Sequence, residues 1–297
     1  MNCHNNRWVV GLGELLWDVY PDSRKLGGAP ANFAFHVAQF GIKSMVISAI
    51  GNDDLGRETA SVLAHMGLTN SLTIVPHPTG TVQVELDSQG IPTYNICQNV
   101  AWDNIPFSPQ LADIAANCRA VCFGSLAQRS MTTRKAIQLF LNSTPNDCLK
   151  IFDINLRQNF YSLQIIENSL RNCNILKIND EELLTVTNLL TCTSQETSQL
   201  DICKQISSTF NINTVILTCG INGSHIVTAS GQVSSLPTPR VDVVDTVGAG
   251  DAFTAAFCAA ILSGKTIAQA HHTAVDVSAY VCTQPGAMPA HPQQNHN

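Results

Sequence analysis

Along the chain, short and continuously apolar runs alternate with longer segments of helical periodicity. Val9–Leu16 is a run of β type, followed by a turn region rich in Pro and Gly. A helical pattern then covers Pro30–Phe40, with the proline in a first-turn position. The unit recurs as strand Ser44–Ile50 with helix Leu55–Met66, and as strand Ala120–Phe123 with helix Thr132–Leu141. Further strands fall at Lys150–Ile154, Ile175–Ile178 and Thr214–Thr218, with helix-like segments between them. Strands that are apolar throughout and alternate with helices predict an α/β fold, a mainly parallel sheet covered on both faces. Ligands of such a sheet bind beyond the carboxyl ends of its strands.

One stretch breaks this rhythm. Gly80–Leu86 and Pro92–Gln98 alternate apolar and polar residues around Asp87-Ser88-Gln89-Gly90, a turn-forming sequence, and predict an antiparallel hairpin. A hairpin inserted into a parallel domain is either decoration or a cover for a site. No internal repeat or long linker interrupts residues 1–297, which are read as one domain. The polar stretch His291–Asn297 is expected to fray.

Composition narrows the class. Apolar residues make up 44% of the 297 positions and charged residues 13%, a balance suited to a packed interior. The formal charge of −6 leaves too few clustered cations for a partner held through nucleic-acid phosphates. The 11 cysteines are odd in number and scattered, with no C-x-x-C pair, so they read as reduced core residues. Glu14 and Asp18 interrupt the first apolar segment, so no export signal is expected and the cytoplasm is the expected location. Ala252–Leu262 has about half of the roughly 20 residues that span a bilayer and reads as a buried helix.

Candidate chemistry concentrates in a few loops. In Asp245-Thr246-Val247-Gly248-Ala249-Gly250-Asp251-Ala252-Phe253 a small-residue loop runs into an Ala-rich helix. The unpaired N–H groups of that helix start favour a negative group such as a phosphoryl. Asp251 is placed either to accept a proton from an attacking hydroxyl or simply to cap the helix. No G-x-x-x-x-G-K-[ST] occurs, and Gly11-Leu12-Gly13 lacks the third glycine of a dinucleotide fingerprint, so another phosphate cradle is needed. Gly27-Gly28-Ala29-Pro30-Ala31-Asn32 is a turn leading into a helix. Asp153-Ile154-Asn155-Leu156-Arg157 leaves an apolar strand at the sheet's carboxyl edge, where it forms either a binding element or a surface salt bridge. Asn179-Asp180-Glu181-Glu182 has the form of a capped helix start, and Thr218-Cys219-Gly220-Ile221-Asn222-Gly223 that of a glycine-rich turn. His271 and His272, adjacent on a helix, point apart and read as structural.

Taken in order, these segments resemble the motifs of the ribokinase-like (PfkB) carbohydrate kinases, from about Val9 to Met288, and most closely those of fructokinases. The resemblance implies a three-layer α/β/α domain with a small β lid formed by segments about 17–26 and 80–98. It implies an anion hole at Gly248, Ala249 and Gly250 with Asp251 as general base. Asp18, Gly27, Gly28, Asn32 and Arg157 match sugar-binding positions, and Gln98 and Trp102 lie where a returning lid strand would cross the sugar, although Trp102 suits core packing equally. Asn179, Thr218, Gly220, Gly223 and Val275 match the nucleotide region, and Glu182 would act on Mg²⁺ through water, the mode magnesium favours. Asp245 and the carbonyls of Val247, Val281 and Gly286 match a monovalent-cation site, so ATP, Mg²⁺ and K⁺ are the implied ligands. Fructose conversion to fructose 6-phosphate is the implied reaction, with 2-keto-3-deoxygluconate and ribose-type kinases as alternatives. A catalytically silent sugar or nucleotide sensor is the alternative of another class, and the intact Asp251 speaks against it. Relatives often form dimers, some through the lid, and an apolar outer lid face would mark such pairing.

Overall fold

The computed structural model describes residues 7–86, 92–190 and 198–292. The strands are β1 (Trp8–Leu12), β2 (Leu16–Val19), β3 (Arg24–Gly27), β4 (Ser44–Gly51), β5 (Asn70–Val75), β6 (Gly80–Leu86), β7 (Pro92–Ile96), β8 (Cys118–Phe123), β9 (Leu149–Asp153), β10 (Ile175–Asn179), β11 (Thr214–Thr218), β12 (Ser224–Thr228) and β13 (Val233–Leu236). The helices are α1 (Ala29–Ala38), α2 (Asp54–His65), α3 (Pro109–Ala116), α4 (Met131–Asn142), α5 (Leu163–Asn172), α6 (Asp180–Leu190), α7 (Gln199–Phe210), α8 (Ala249–Leu262) and α9 (Ile267–Cys282).

The large sheet has the order β13-β12-β11-β10-β9-β8-β1-β4-β5. Its strands from β11 to β5 pair in parallel, while β12 and β13 add antiparallel at one edge. Alternation along β1 sends Val10 and Leu12 into a core with residues of α3 to α7, and Val9 into a second core with Phe33 of α1, Phe253 and Phe257 of α8 and Ala270 of α9. Leu63 of α2 joins Ala31 and Phe35 of α1 over Val46 and Ile50 of β4. Helices therefore cover both faces, which is the expected three-layer arrangement. The helix starts follow local chemistry: Asp53, Ser108, Ser162 and Ser198 cap α2, α3, α5 and α7, and Thr266 with Gln269 forms a capping box on α9.

The apolar run Val9–Leu16 is not one strand. The chain leaves the large sheet after Leu12, turns at Gly13 (φ 151°), and Leu16 starts β2 in a second sheet of order β3-β2-β6-β7. Continuous hydrophobicity hid the break, because both segments are buried, in different sheets. The hairpin β6/β7 forms as expected, and its turn Asp87–Gly90 lies outside the described residues. One face of this small sheet packs Val82, Val84 and Ile96 into the core with Trp102. On the other face Thr81, Gln83 and Asn95 of β6 and β7 are polar, while Trp17, Val19 and Leu26 of β2 and β3 share it.

Three expectations need correction or placement. Trp102 is fully buried beneath Arg129 and packs in the core, so it does not cross a sugar. The stretch from His291 does not fray at its start: His291 stacks on His36, with Nε2 2.9 Å from His36 Nδ1, because the two rings and Phe40 cover one another. The rest of it, 293–297, lies outside the described residues. The nine described cysteines are free thiols, seven of them buried. No helix among the described residues is long and apolar enough to cross a membrane.

Candidate active site

The carboxyl ends of β1, β9, β10 and β11 carry the polar motifs, and the amino end of α8 meets them there. Gly11 lets this happen: a Cβ on it would sit 1.9 Å from the Pro30 carbonyl, so only glycine allows α1 to cross β1 so closely. The crossing places Asn32, 4% exposed on the first turn of α1, beside α8. Its Nδ2 donates to Asp251 Oδ2 at 2.8 Å, across 219 residues of sequence. Asn32 Oδ1 is buried and has no protein donor.

Helix α8 starts at Gly248, whose φ of 79° is left-handed, and no side chain caps the first turn. Asp251 lies in that turn, but its carboxylate faces Asn32 and not the helix amides, so the capping alternative falls away. The residue is half-buried, and desolvation of its carboxyl group, followed by the neighbouring Asp153 carboxylate, raises that group from the usual range to about 7. Gly248 is fixed by close packing, because a Cβ there would lie 2.7 Å from Ala287 Cα. Gly248→Ala would both strain a left-handed position and push on the Ala287 backbone. We expect kcat to fall by about 10²-fold, the scale of one lost oxyanion donor, with sugar KM changed far less, in steady-state kinetics.

On the side of the small sheet, Asp18 in β2 is half-buried, and burial raises its carboxyl while Lys25 and Arg157 oppose the shift. A Cβ on Gly28 (φ 126°) would stand 2.4 Å from the Glu14 carbonyl, so this glycine is set by close approach, while one on Gly27 would lie 3.2 Å from Asp18 Oδ2. Arg157 is exposed at the mouth, in a loop whose Asn155 and Gln158 have positive φ. Gln158 Nε2 donates to the Tyr94 carbonyl of β7 at 2.6 Å, tying that loop to the small sheet. Gln98, just past β7, is exposed.

On the other side, Asn179 and Glu182 cap α6 reciprocally: Glu182 N–H donates to Asn179 Oδ1 at 2.7 Å and Asn179 N–H to Glu182 Oε2 at 2.9 Å. Glu182 Oε1 also accepts from Leu156 N–H at 3.0 Å, joining this turn to the Arg157 loop. Thr218 ends β11, and Gly220 (φ 52°) and Gly223 (φ 103°) shape the turn into β12. A Cβ on Gly223 would meet the Leu236 carbonyl at 2.4 Å. Val275, by contrast, is 9% exposed and packs with Phe253 and Ala274 in the core, leaving it little surface for a ligand.

Residues 16–294 match the model of the pfkB family carbohydrate kinases. The chain belongs to this family. Among relatives, it is 31% identical to a fructokinase of Salmonella typhimurium over 277 residues, 86% of this chain and 83% of that protein. The ATP complex of the sugar kinase PH1459 from Pyrococcus horikoshii superposes with a TM-score of 0.79 at 26% identity, over 94% of each chain. A double mutant of the fructokinase from Vibrio cholerae O395, in its fructose, ADP and potassium ion bound form, gives 0.80 at 25% identity, over 96% of this chain and 94% of that one. The chain is thus a carbohydrate kinase with a ribokinase-like fold.

In this pfkB kinase two of the segments expected around a monovalent cation meet at Asp245, through backbone N–H groups. Asp245 Oδ1 accepts from Val247 N–H at 3.0 Å and Oδ2 from Gly286 N–H at 3.1 Å, while the Cys282 carbonyl accepts from Val244 N–H at 2.9 Å. The Val281 carbonyl, at the end of α9, takes the Gln284 N–H at 3.0 Å. His271 is buried between Ser224 and Ser234 hydroxyls, a structural role as expected. No group of three His, Cys, Asp or Glu able to hold a metal occurs among the described residues.

Sequence reasoning passed over three buried charges. Lys177 lies inside β10, 3.2 Å from Asp153 across the sheet. Glu14 is 2% exposed, its Oε2 has no partner, and burial raises its carboxyl. Arg129 forms a two-pronged pair with Asp103. A charge inside an apolar run was the available signal in each of the first two, since such residues are seldom buried without a task.

Proposed function

We propose that this kinase transfers the γ-phosphoryl of ATP to the primary hydroxyl of a ketose, fructose being the favoured acceptor, with fructose 6-phosphate as product. The observation that carries the reading is the Asn32–Asp251 contact at the uncapped start of α8. A sugar hydroxyl that donates to Asn32 Oδ1 satisfies that orphaned acceptor and lies beside the Asp251 carboxylate. There it can lose its proton to Asp251, whose carboxyl near 7 is poised for general-base work at neutral pH. The N–H groups at the start of α8, at Gly248 and Gly250, face the phosphoryl as charge develops on it, with Ala249 N–H between them turned to the Thr246 carbonyl at 3.3 Å. Bound magnesium supplies further neutralisation of phosphate charge. Asp18, Gly27 and Gly28 line the acceptor side, and Arg157 closes it from the mouth. Thr218, Gly220 and Gly223 offer a shallow backbone surface for the nucleotide. Glu182 holds the Asn179 and Leu156 amides, and it would act on a bound magnesium through water. The small sheet serves as the lid, and residues 1–297 act as one catalytic domain. The Asp245 cluster is the monovalent-cation site, a reading supported by the potassium-bound fructokinase among the structural relatives.

The relative at 31% identity supports fructose over other acceptors. The test is Mg²⁺- and K⁺-supported ATP turnover across fructose, 2-keto-3-deoxygluconate, ribose, adenosine and fructose 6-phosphate. Fructose should exceed every other acceptor in kcat/KM by at least about tenfold, a difference of roughly 1.4 kcal/mol in transition-state binding. Preference for another sugar would move the specificity and leave the mechanism, and inactivity with all five would contradict the function.

A further inference from the structure

The Asp153–Lys177 pair has no part in the mechanism above, yet it lies directly beneath the base. The two residues are opposite each other in the β9/β10 register, 3.2 Å apart, with side chains only 5% and 10% exposed. Thr254, three residues after Asp251 on α8, brings its hydroxyl to 3.1 Å from Asp153 Oδ2. Asp153, Asp251 and Thr254 line one small cavity with Cys122 and Phe123 of β8. Lys177 Nζ reaches to 3.1 Å from where a Cβ on Gly250 would stand, so the ammonium sits against the backbone of the anion hole. Stability alone is a poor reason for this arrangement, since a buried ion pair is often no better than apolar residues of similar volume.

We propose that Asp153 and Lys177 are positioning residues for the reaction: Lys177 holds the Asp153 carboxylate under the first turn of α8, and the pair together sets the charge that Asp251 faces. The inference rests on the reading of Asp251 as the base. The groups around Asp251 come from every neighbouring element: Asp153 from β9, Lys177 from β10, Arg157 from the loop after β9, Cys122 from β8 and Asn32 from α1. Glu14 and Glu182 stand one step further out, facing Asp153 and Lys177 respectively. Asp153 pushes the Asp251 carboxyl up, while Asn32, Lys177 and Arg157 hold it down. Lys177 itself stays protonated: burial works against its charge, but Asp153, Glu182 and Asp251 together carry it above its ordinary value. Removing the two partners singly should therefore shift Asp251 in opposite directions, and the kcat/KM limb should follow, which a merely structural role would not require.

The experiment follows the Asp251 carboxyl by ¹³C NMR in ligand-free protein, assigned with Asp251→Asn, alongside the pH dependence of kcat/KM for the sugar. Compared with the parent, Asp153→Asn should lower the titration midpoint and Lys177→Met should raise it, each by on the order of one pH unit, about tenfold in rate on the acid limb. The double variant Asp153→Asn/Lys177→Met should fall between the two. Where Lys177→Met does not fold, Asp153→Asn and the double variant carry the comparison. An Asp251 midpoint that is unmoved in Asp153→Asn, or that moves the same way in both single variants, overturns the proposal. If the carboxyl midpoints move as stated while the kcat/KM limb does not follow, the base assignment fails, and with it the pair's role in the reaction, although the pair still sets the Asp251 charge.

Discussion

Asp251→Asn should reduce kcat by about 10²- to 10⁴-fold, the range that a positioned general base contributes, and should at the same time make the protein more stable at alkaline pH. The first part follows from the geometry of Asn32, Asp251 and the start of α8, where the neighbouring Asp153 carboxylate is engaged by Lys177 and the Thr254 hydroxyl. The second follows from the raised carboxyl. A group with a folded value near 7 and an unfolded value near 4 is protonated in the folded state and ionised in the unfolded state between those limits. Stability contributed by that protonation is present at low pH and is lost as pH rises through about 7. Asparagine keeps an acceptor for Asn32 Nδ2 and carries no charge to bury. Thermal melts should therefore show the variant gaining on the parent at pH 8 and matching it near pH 4. Equal turnover, or a stability gain that does not depend on pH, would contradict the assignment of the base.

Arg129→Ala should cause the largest loss of stability, about 3–5 kcal/mol, because it leaves the Asp103 carboxylate buried and uncompensated. The Arg129 Nε and one terminal nitrogen donate to Asp103 Oδ1 and Oδ2 at 2.8 and 2.9 Å, and both side chains are 8% exposed. The same terminal nitrogen donates to the Cys97 carbonyl at 2.6 Å, just past β7. The guanidinium also lies between the Trp102 and Phe160 rings, 4.0 and 4.6 Å from their centroids. It therefore fastens three things at once: the root of the small sheet, the Trp102 turn and the loop that carries Arg157. Urea unfolding should show the loss, and Arg129→Lys should recover only part of it, since an ammonium cannot make the two-pronged contact. In the surviving folded protein, sugar KM should rise more than kcat falls. A midpoint within about 0.5 kcal/mol of the parent, as for an ordinary surface change, would show that the cluster holds nothing.

Periodicity was enough to place most of the large sheet. β4, β8, β9, β10 and β11 are apolar runs bounded by polar or glycine-rich segments, and each lies within two residues of its expected limits. It failed at Val9–Leu16, where two strands of different sheets are joined through Gly13 and hydrophobicity does not change at the border. The motif loops were legible because their glycines answer to local demands: the left-handed turn at Gly248 and the close approach at Gly223. Contacts made across long stretches of chain were not legible. Nothing in Asn32 announces Asp251, and a lysine in Ile175–Ile178 reads as a lapse in an apolar strand until β9 brings Asp153 opposite it. Val275 and Trp102 went the other way: both residue types suit a binding wall and a core equally, and packing put both in the core.

The most direct test of the account is transfer of label from γ-³²P ATP to fructose by the parent and by Asp251→Asn, with the product identified by NMR. The account predicts fructose 6-phosphate from the parent and a rate at least about 10²-fold lower from the variant. Unlabelled fructose with the parent protein, or equal labelling by the variant, would contradict it.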